Sequence, residues 1–388
     1  MRRFFLLLAV LIQLVLPQRT FAVDEVVLDF DEYRPEEEDV VSENETKELT
    51  LYEKIQNIRA KEYKDNSKVE YLFEDILTKE FETGIVKDVH LFGYYRQGLN
   101  MDIPEHGDSD FMYNLNVLQA GIKTDFRDDK TKFEATFRFN GQHQYNFMQF
   151  LPANLYVSNT SIPHHTIIFG NTRTPSGVEG GTTPLLIPFF MHSQIGRNFG
   201  NIRKFGLRVQ GSYPLIDYDL GGYSSDTYFR KFFPGAEFTG QVMLKPLGKT
   251  DGKYGSLNIG GGISAGHNEF NYFVSNLYAK YEYKKAFVDF EWATANGYNG
   301  NGGLVDKRAE GFYTTLGYNI TPKLQAVVRY DEFTPDKNFS GIKKREYSAG
   351  LNWFIKGQAL KMMLNYVFCQ NDNAKDSHRI ILGTQILL

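Results

Sequence analysis

The sequence predicts an all-β fold, a 16-stranded antiparallel transmembrane β-barrel with a short N-terminal segment that is partly helical. Three observations indicate it. The 388 residues include 32 Phe, 24 Tyr and 35 Gly, a composition that favours strands and turns. From residue 87 onward, apolar and polar residues alternate in long runs. Short and long connections between these runs also alternate along the chain.

The first element, residues 1–22, is a targeting segment. Arg2 and Arg3 precede an apolar run that is too short to span a bilayer comfortably. Thr20 and Ala22 place small residues at the positions that a signal peptidase requires, so we expect cleavage after Ala22 and export. An uncleaved anchor is the less favoured alternative. The one cysteine, Cys369, excludes an internal disulfide framework and lies near no obvious base.

The second element, residues 23–86, is acidic. It carries 20 Asp or Glu against 8 Lys or Arg, a net charge of −12, whereas residues 87–388 have a net charge of +5. Residues 24–48 have too few apolar side chains for a core and are predicted to be disordered. Residues 49–81 repeat apolar side chains at helical spacing, and Gly84 is a natural stop. A helix packed on its own domain and a short coiled coil between subunits are both open.

The third element, residues 87–388, alternates with a period of two. In Lys132 to Asn140 the apolar set is Phe133, Ala135, Phe137 and Phe139, and similar runs recur to the end of the chain. The runs are about 9–13 residues long, which a tilted strand needs in order to cross a bilayer, whereas strands of soluble sandwiches are about 5 residues long. The mean hydropathy of −0.39 argues against a bundle of membrane helices.

Sixteen such runs occur, and their connections predict the orientation of the barrel. Tight turns such as "RDDK", "ITPK" and "IKGQ" alternate with longer segments such as 100–110, 142–151 and 172–203. Outer-membrane barrels have an even strand number, short periplasmic turns and long outer loops. We therefore expect the outer membrane of a Gram-negative-type bacterium, with residues 23–86 in the periplasm. The last run, residues 377–388, should close the barrel against the first.

The segment 172–203 is the longest connection and the main candidate for a functional loop. Its apolar stretch Leu185 to Met191 must pack inside the barrel mouth or on a neighbouring subunit. It also brings together Arg173, Arg197, Arg203 and Lys204, and Glu179 is the only acidic residue between Thr172 and Lys204. Guanidinium groups suit phosphate through paired hydrogen bonds. These cations could form a selectivity filter, or they could pair with wall carboxylates and pin the loop.

Two wall residues, Arg138 and Arg208, complete the candidate constriction. Both fall on the inward face of their predicted strands. That face also carries many acidic residues, so its charges should nearly cancel along most of the lumen. Selectivity is then expected at the narrowest point.

Several stretches resemble the phosphate-selective porin O and P family. "GNTRTPSGVE" (Gly170 to Glu179) resembles that family's G-x-x-K-x-P-F-x-x-E segment, "FFMHS" its F-M-E-R-S segment, and "RKFGLRVQG" its R-x-x-G-x-x-x-x-G strand. Arg173 stands where the family has Lys, and His192 where it has Glu. The resemblance implies a sixteen-stranded homotrimer in which small anions such as phosphate pass a constriction lined by basic side chains.

Other functions are weaker on the sequence. The chain has no G-x-S-x-G, H-E-x-x-H or paired-cysteine motif, so an enzyme, a metal site or a cofactor is not expected. Nothing favours nucleic acid as a partner; membrane lipid is the expected one. A general or sugar and organic-acid porin remains the alternative, with Tyr278, Tyr313 or Phe354 as aromatic groups in the lumen.

Overall fold

Sixteen long antiparallel strands form a closed barrel, as the sequence predicts. The computed structural model describes residues 66–105, 107–112, 117–139, 150–227 and 231–388. The predicted signal peptide, the disordered segment and most of the predicted helical segment lie outside these ranges. The barrel and the residues that precede it from Asn66 belong to one compact unit, Glu62–Leu388.

The described residues form eighteen strands and three short helices. The helices are α1 Glu74–Leu77, α2 Val178–Gly181 and α3 Gln194–Phe199. The strands are β1 Thr78–Glu80, β2 Val86–Pro104, β3 Asp110–Met112, β4 Val117–Phe126, β5 Thr131–Phe139, β6 Phe150–Asn159, β7 His165–Arg173, β8 Arg203–Ser212, β9 Ile216–Ser224, β10 Ala236–Leu244, β11 Ser256–His267, β12 Asn271–Tyr283, β13 Ala286–Gly300, β14 Gly303–Thr321, β15 Leu324–Thr334, β16 Lys344–Lys356, β17 Leu360–Asn371 and β18 Ser377–Leu387.

The barrel closes where the last strand meets the first long one. β18 pairs antiparallel with β2, with Leu382 opposite Leu99, and every other long strand pairs with its neighbours in sequence. Most short turns lie at one end, for example between β14 and β15, and most longer loops at the other. The predicted strand number and closure are confirmed. The predicted alternation of connections holds only in part, because β10 and β11 are joined by a long segment at the short-turn end, while the β11–β12 and β13–β14 connections at the other end are short.

The inside and the outside of the wall follow the predicted alternation. On β18 the side chains of Ile381, Gln385 and Leu387 are buried, while Ile380 and Leu382, on either side of Ile381, are exposed. The exposed set continues around the barrel as a belt of large apolar side chains, among them Phe169, Leu277 and Leu316. Such a belt suits lipid contact, because hydrocarbon solvates apolar side chains and the strands satisfy each other's backbone groups.

No helix in the described ranges is long and apolar enough to span a membrane.

The residues before β2 differ from the helix predicted there. Among the described residues 66–81, only Glu74–Leu77 is helical, and Thr78–Glu80 is a strand that pairs with β2, Thr78 opposite His90. The physical reason lies at the seam. β2 is longer than β18, so the N-terminal part of β2 has an edge that β18 does not pair with. β1 pairs with three residues of that edge. Unpaired backbone groups in a sheet edge are costly, which favours a strand at this point.

Candidate functional site

The connection between β7 and β8 folds into the barrel. Leu185, Ile187, Phe189 and Phe190 are each at most 5% exposed. Phe190 packs with Met363 and Ile381 on the inner wall. Of the two packing partners considered from sequence, the apolar stretch therefore uses the wall of its own barrel. We call residues 174–202 the inner loop.

Side-chain donors on the opposite wall hold the apolar stretch through its backbone carbonyls. Asn352 donates to the Pro188 carbonyl at 2.8 Å, and Gln385 and Lys361 donate to the Leu185 carbonyl at 3.2 and 3.3 Å. The Asn365 amide oxygen accepts from the Phe190 N–H at 2.8 Å. The loop backbone has no secondary structure here, so these side chains satisfy polar groups that burial would otherwise leave unpaired.

Two wall carboxylates accept hydrogen bonds from the N-terminal N–H groups of the loop helices. Glu291 on β13 accepts from the N–H groups of Val178 and Glu179 at 2.8 and 3.2 Å, at the start of α2. Asp331 on β15 accepts from the N–H of Gln194 at 2.7 Å, at the start of α3. The first N–H groups of a helix have no partner within the helix, and a carboxylate satisfies both their hydrogen bonding and their partial positive charge. Acidic wall residues thus orient the loop.

Gly177 precedes α2 at a point where only glycine fits. Its φ is +75°, and a Cβ atom there would lie 2.7 Å from Oε1 of Glu291. The left-handed backbone is costly for residues with a Cβ, and the close approach lets the carboxylate reach the helix amides. The glycine in "PSGVE" is therefore required by the docking of α2.

The core of the inner loop is a buried ion pair. Glu179 on α2 pairs with Arg329 on β15, and both side chains are at most 5% exposed. Burial would raise the pKa of the Glu179 carboxyl, but Arg329, His192 and the donors of Ser193 hold that pKa below its ordinary value. Burial lowers the pKa of the neighbouring His192 to about 4. His192 is therefore neutral at ordinary pH.

Arg197, Lys204 and Arg208, among the six predicted constriction residues, each make an ion pair with a described wall residue. Arg197 Nη2 lies 2.8 Å from Glu346 Oε1, Lys204 pairs with Glu237 in a fully buried contact, and Arg208 makes a bidentate contact with Asp219, with Nε 2.8 Å from Oδ1. These are the contacts that pin a loop and its flanking strands to the wall.

The other three predicted residues make different contacts. Arg173 donates to Asn201 Oδ1 at 2.6 Å and Arg203 donates to Asn154 Oδ1 at 2.8 Å, so both tie the base of the inner loop together. Arg138 is partly buried on β5. The structure therefore brings Arg173, Arg203, Lys204 and Arg208 close together on β7 and β8. The role of the six residues as a filter stays a prediction.

Two further cations enter the site that were not among the six. Arg96 and Lys361 lie on either side of Gln385 in the register of β2, β18 and β17. Arg96 donates to the Phe189 carbonyl at 3.3 Å and lies 4.2 Å from the centre of the Phe190 ring. Within the described ranges, neither cation has an ion-pair partner. Lys361 was recognisable as inward-facing from the alternation of β17, but nothing local distinguished Arg96 from other polar wall residues.

Two cavities formed by described residues border the inner loop. One, of about 530 Å³, lies against β8–β12 and is bordered by Arg208, Asp219 and Lys280. The other, of about 550 Å³, is bordered by Lys280, Asp289 and Lys361. Both touch Thr182, Asn258 and Lys280, so these residues mark the point where the two spaces approach each other. The first cavity lies away from the apolar stretch, whereas the second is bordered by Leu186, Ile187 and Pro188 of that stretch.

Comparisons with known proteins agree with this architecture. The sequence model of the family described as phosphate-selective porin O and P matches residues 250–386. The predicted resemblance is thereby confirmed for that part of the chain, while the motifs at residues 170–213 lie outside the match. A search of curated protein sequences finds no match.

Several solved structures share the fold at low identity. The outer membrane channel DcaP of Acinetobacter baumannii is 13% identical with a TM-score of 0.56, covering 80% of this chain and 99% of that one. An anion-selective porin from Comamonas acidovorans is 12% identical with a TM-score of 0.59, covering 77% and 99%. OmpT of Vibrio cholerae, in its trimer form, is 10% identical with a TM-score of 0.53, covering 77% and 99%.

The closed sixteen-stranded barrel, its apolar belt, the inner loop and the family match lead to one conclusion. The chain has the fold of outer-membrane porin barrels, and its residues 250–386 match the sequence model of the phosphate-selective porin O and P family.

Proposed function

We propose that the barrel is a water-filled channel through which small solutes diffuse passively, with a preference for anions and with phosphate as the candidate solute. The inner loop narrows the lumen and leaves the two cavities as the route. No chemical step is involved, so the solute is selected by size and by the field of the wall.

The observation that carries the anion preference is that the side chains of Arg96 and Lys361 have no ion-pair partner among the described residues. Both lie on the inner wall, both are nearly fully buried, and Lys361 borders the 550 Å³ cavity. Charges in a water-poor surrounding act over longer distances than exposed charges, because little solvent screens them. Their field favours anions in the adjoining space.

A general porin is the second candidate, and the ion pairs along the route favour it. Arg208 with Asp219, Lys245 with Asp217 at 2.6 Å, and Lys280 with Asp289 at 3.7 Å place opposite charges side by side. Such pairs largely cancel in the field that a passing ion experiences. In this case the channel would pass sugars, organic acids and salts with little discrimination.

The reversal potential in a salt gradient tests the proposal. The protein without residues 1–22 is refolded and inserted into a planar bilayer with KCl at different concentrations on the two sides. A zero-current voltage of the sign set by chloride supports the anion preference, and phosphate is then added to look for block. A value near zero or of the opposite sign favours the general porin.

The predicted filter residues are tested in the same assay. We expect Arg197→Gln/Arg203→Gln to reduce the chloride preference, because two positive charges are removed beside the inner loop. The matched control is Lys343→Gln/Arg345→Gln, which removes two charges from partly exposed ion pairs with Glu332 and Asp372. Unchanged selectivity in the first variant would assign Arg197 and Arg203 to holding the loop.

A further inference from the structure

The chain before β2 passes along the inside of the barrel mouth at the end where the short turns lie. Asn66 donates to the carbonyl of Pro322 in the β14–β15 turn at 3.0 Å, and Gln358 in the β16–β17 turn donates to the Asn66 carbonyl at 2.6 Å. The N–H of Leu72 then donates to the carbonyl of Leu387, at the end of β18, at 3.1 Å. We call residues 66–77 the N-terminal strap.

The far end of the strap is held by aromatic and cationic groups on β2 and β4. The Tyr71 ring lies against His90 and Phe92, with ring centroids 5.6 and 5.4 Å apart. Lys123 on β4 donates to the Tyr71 hydroxyl at 3.2 Å and also lies 4.7 Å from the ring centre. Because His90, Phe92 and Lys123 are wall residues, Tyr71 is inside the barrel.

Burial shows that the strap is packed rather than laid on the rim. Tyr71, Leu72 and Phe73 are 8%, 2% and 1% exposed, whereas Glu74 and Asp75 that follow are exposed. Full burial of a Phe side chain stabilises a packed position by about 1.5–3 kcal/mol. Asn66 and Ser67, at the other end, border the 550 Å³ cavity together with Pro188 of the inner loop.

We infer that the N-terminal strap is a second, fixed narrowing of the channel, which limits passage at the periplasmic mouth. It fills the same side of the lumen as the apolar stretch of the inner loop, and it forms part of the border of the cavity next to that stretch. Tyr71 and Phe73 are its positioning residues, since they anchor it on the wall. The inference rests on the channel function proposed above.

The first test compares single-channel conductance in planar bilayers. Releasing the strap with Tyr71→Ala/Phe73→Ala should give a higher conductance than the wild type. The control is Phe81→Ala, which removes a 40% exposed ring from the same part of the chain and should leave the conductance unchanged. Heat-modifiable migration on a gel shows whether both barrels are folded. If both are folded and the wild type and the double variant have equal conductance, the inference is overturned.

A second test leaves the anchors intact. In a Cys369→Ser background, Ser67→Cys is treated with a bulky, charged thiol reagent on the periplasmic side. The attached group should reduce the conductance, because Ser67 borders the cavity. Asp129→Cys, in the exposed β4–β5 turn outside the lumen, is the matched control and should show no reduction. Full labelling of Ser67→Cys without any change in conductance would also reject the inference.

The two proposals fail in different ways. If neither the Tyr71→Ala/Phe73→Ala substitution nor the labelling of Ser67→Cys changes the conductance, the channel function stands but the strap does not limit passage. Wild-type barrels that do not conduct, beside Tyr71→Ala/Phe73→Ala barrels that do, would make the strap a complete closure and support it more strongly. Folded barrels that conduct in neither form reject both proposals.

Discussion

At the scale of single residues, buried charge is used mainly to hold the inner loop in place. Glu179, Glu291 and Asp331 are all buried, and each accepts hydrogen bonds that fix a loop helix or its neighbour. A buried carboxylate without such partners would be strongly disfavoured. The inward acidic residues thus have a structural use that a simple count of lumen charges does not reveal.

The Arg329–Glu179 pair should be essential for the docked loop. We expect Arg329→Gln to lower the free energy of unfolding by about 3–5 kcal/mol, because it leaves the Glu179 carboxylate buried without its cation. Arg345→Gln is the control, since Arg345 lies in a more exposed pair with Asp372 at 2.8 Å, for which about 0–1 kcal/mol is typical. Guanidinium unfolding of vesicle-refolded protein measures both, and equal losses would contradict the assignment.

Acidification should loosen the inner loop through His192. Docking lowers the pKa of this imidazole from 6.5 to about 4, so the undocked loop binds a proton more readily than the docked one. The docked state therefore has its full stability above pH 6.5 and loses it as the pH falls towards 4. The measurement is the open-channel current noise at pH 7 and pH 4.5, which should increase at the lower pH.

His192→Gln provides the control for this titration, because the amide is polar but cannot be protonated in this range. The variant should show a smaller increase in noise between pH 7 and pH 4.5. Glu179 also has a lowered pKa. Its protonation would loosen the docked loop as well, but only at a pH below the ordinary carboxyl pKa of 4.5. An increase of the same size in wild type and variant would exclude His192 as its source.

At the scale of elements, the inner loop consists of two one-turn to two-turn helices joined by an extended apolar stretch. Neither helix is long enough to be stable alone. Their positions are fixed by wall side chains on β13 and β15, and the stretch between them by Asn352 and Asn365. The loop conformation is therefore a property of the barrel wall more than of the loop sequence.

Gly177→Ala should disturb the docking of α2. We expect a greater loss of stability than in Gly341→Ala, which serves as the control. Both glycines have a positive φ, +75° and +70°, in which any residue with a Cβ is strained. Only at Gly177 would the new methyl group meet a neighbour, Oε1 of Glu291, whereas nothing lies within 4 Å at Gly341. Equal losses in thermal unfolding would show that Glu291 yields without cost.

At the scale of the whole molecule, the barrel wall could be predicted from the sequence, whereas the contacts of the inner loop and of the strap inside it could not. Strand number, closure and the inward and outward faces follow from a period of two, which is a local signal. The inner loop contacts depend on residues far apart in sequence, such as Gln385 and Leu185, and an amide on a strand looks like any polar wall residue. The strap was missed because Leu72, Phe73, Ile76 and Leu77 also fit a helical spacing. In the structure Glu74–Leu77 is helical, but Leu72 and Phe73 before it are buried inside the barrel, and the N–H of Leu72 bonds to the end of β18.

The assembly is expected to be a homotrimer, as the family resemblance implies. A trimer buries part of the lipid-facing belt between subunits. It is not needed to cover strand edges, because the barrel is already closed. Light scattering of the detergent-solubilised protein, corrected for bound detergent, should give three times the mass of the mature chain. The mass of one chain would contradict the expectation.

The way in which the inner loop is fastened has a consequence for the timing of assembly. The loop leaves the barrel between β7 and β8, yet its fastenings lie on β13, β15, β16, β17 and β18, up to 200 residues later in the chain. Contacts between residues so distant in sequence form late, because the intervening chain must be ordered first. The loop can reach its final place only after the last strands have joined the wall. A growing barrel would therefore remain wide inside until closure, and narrowing of the lumen would mark the end of its biogenesis.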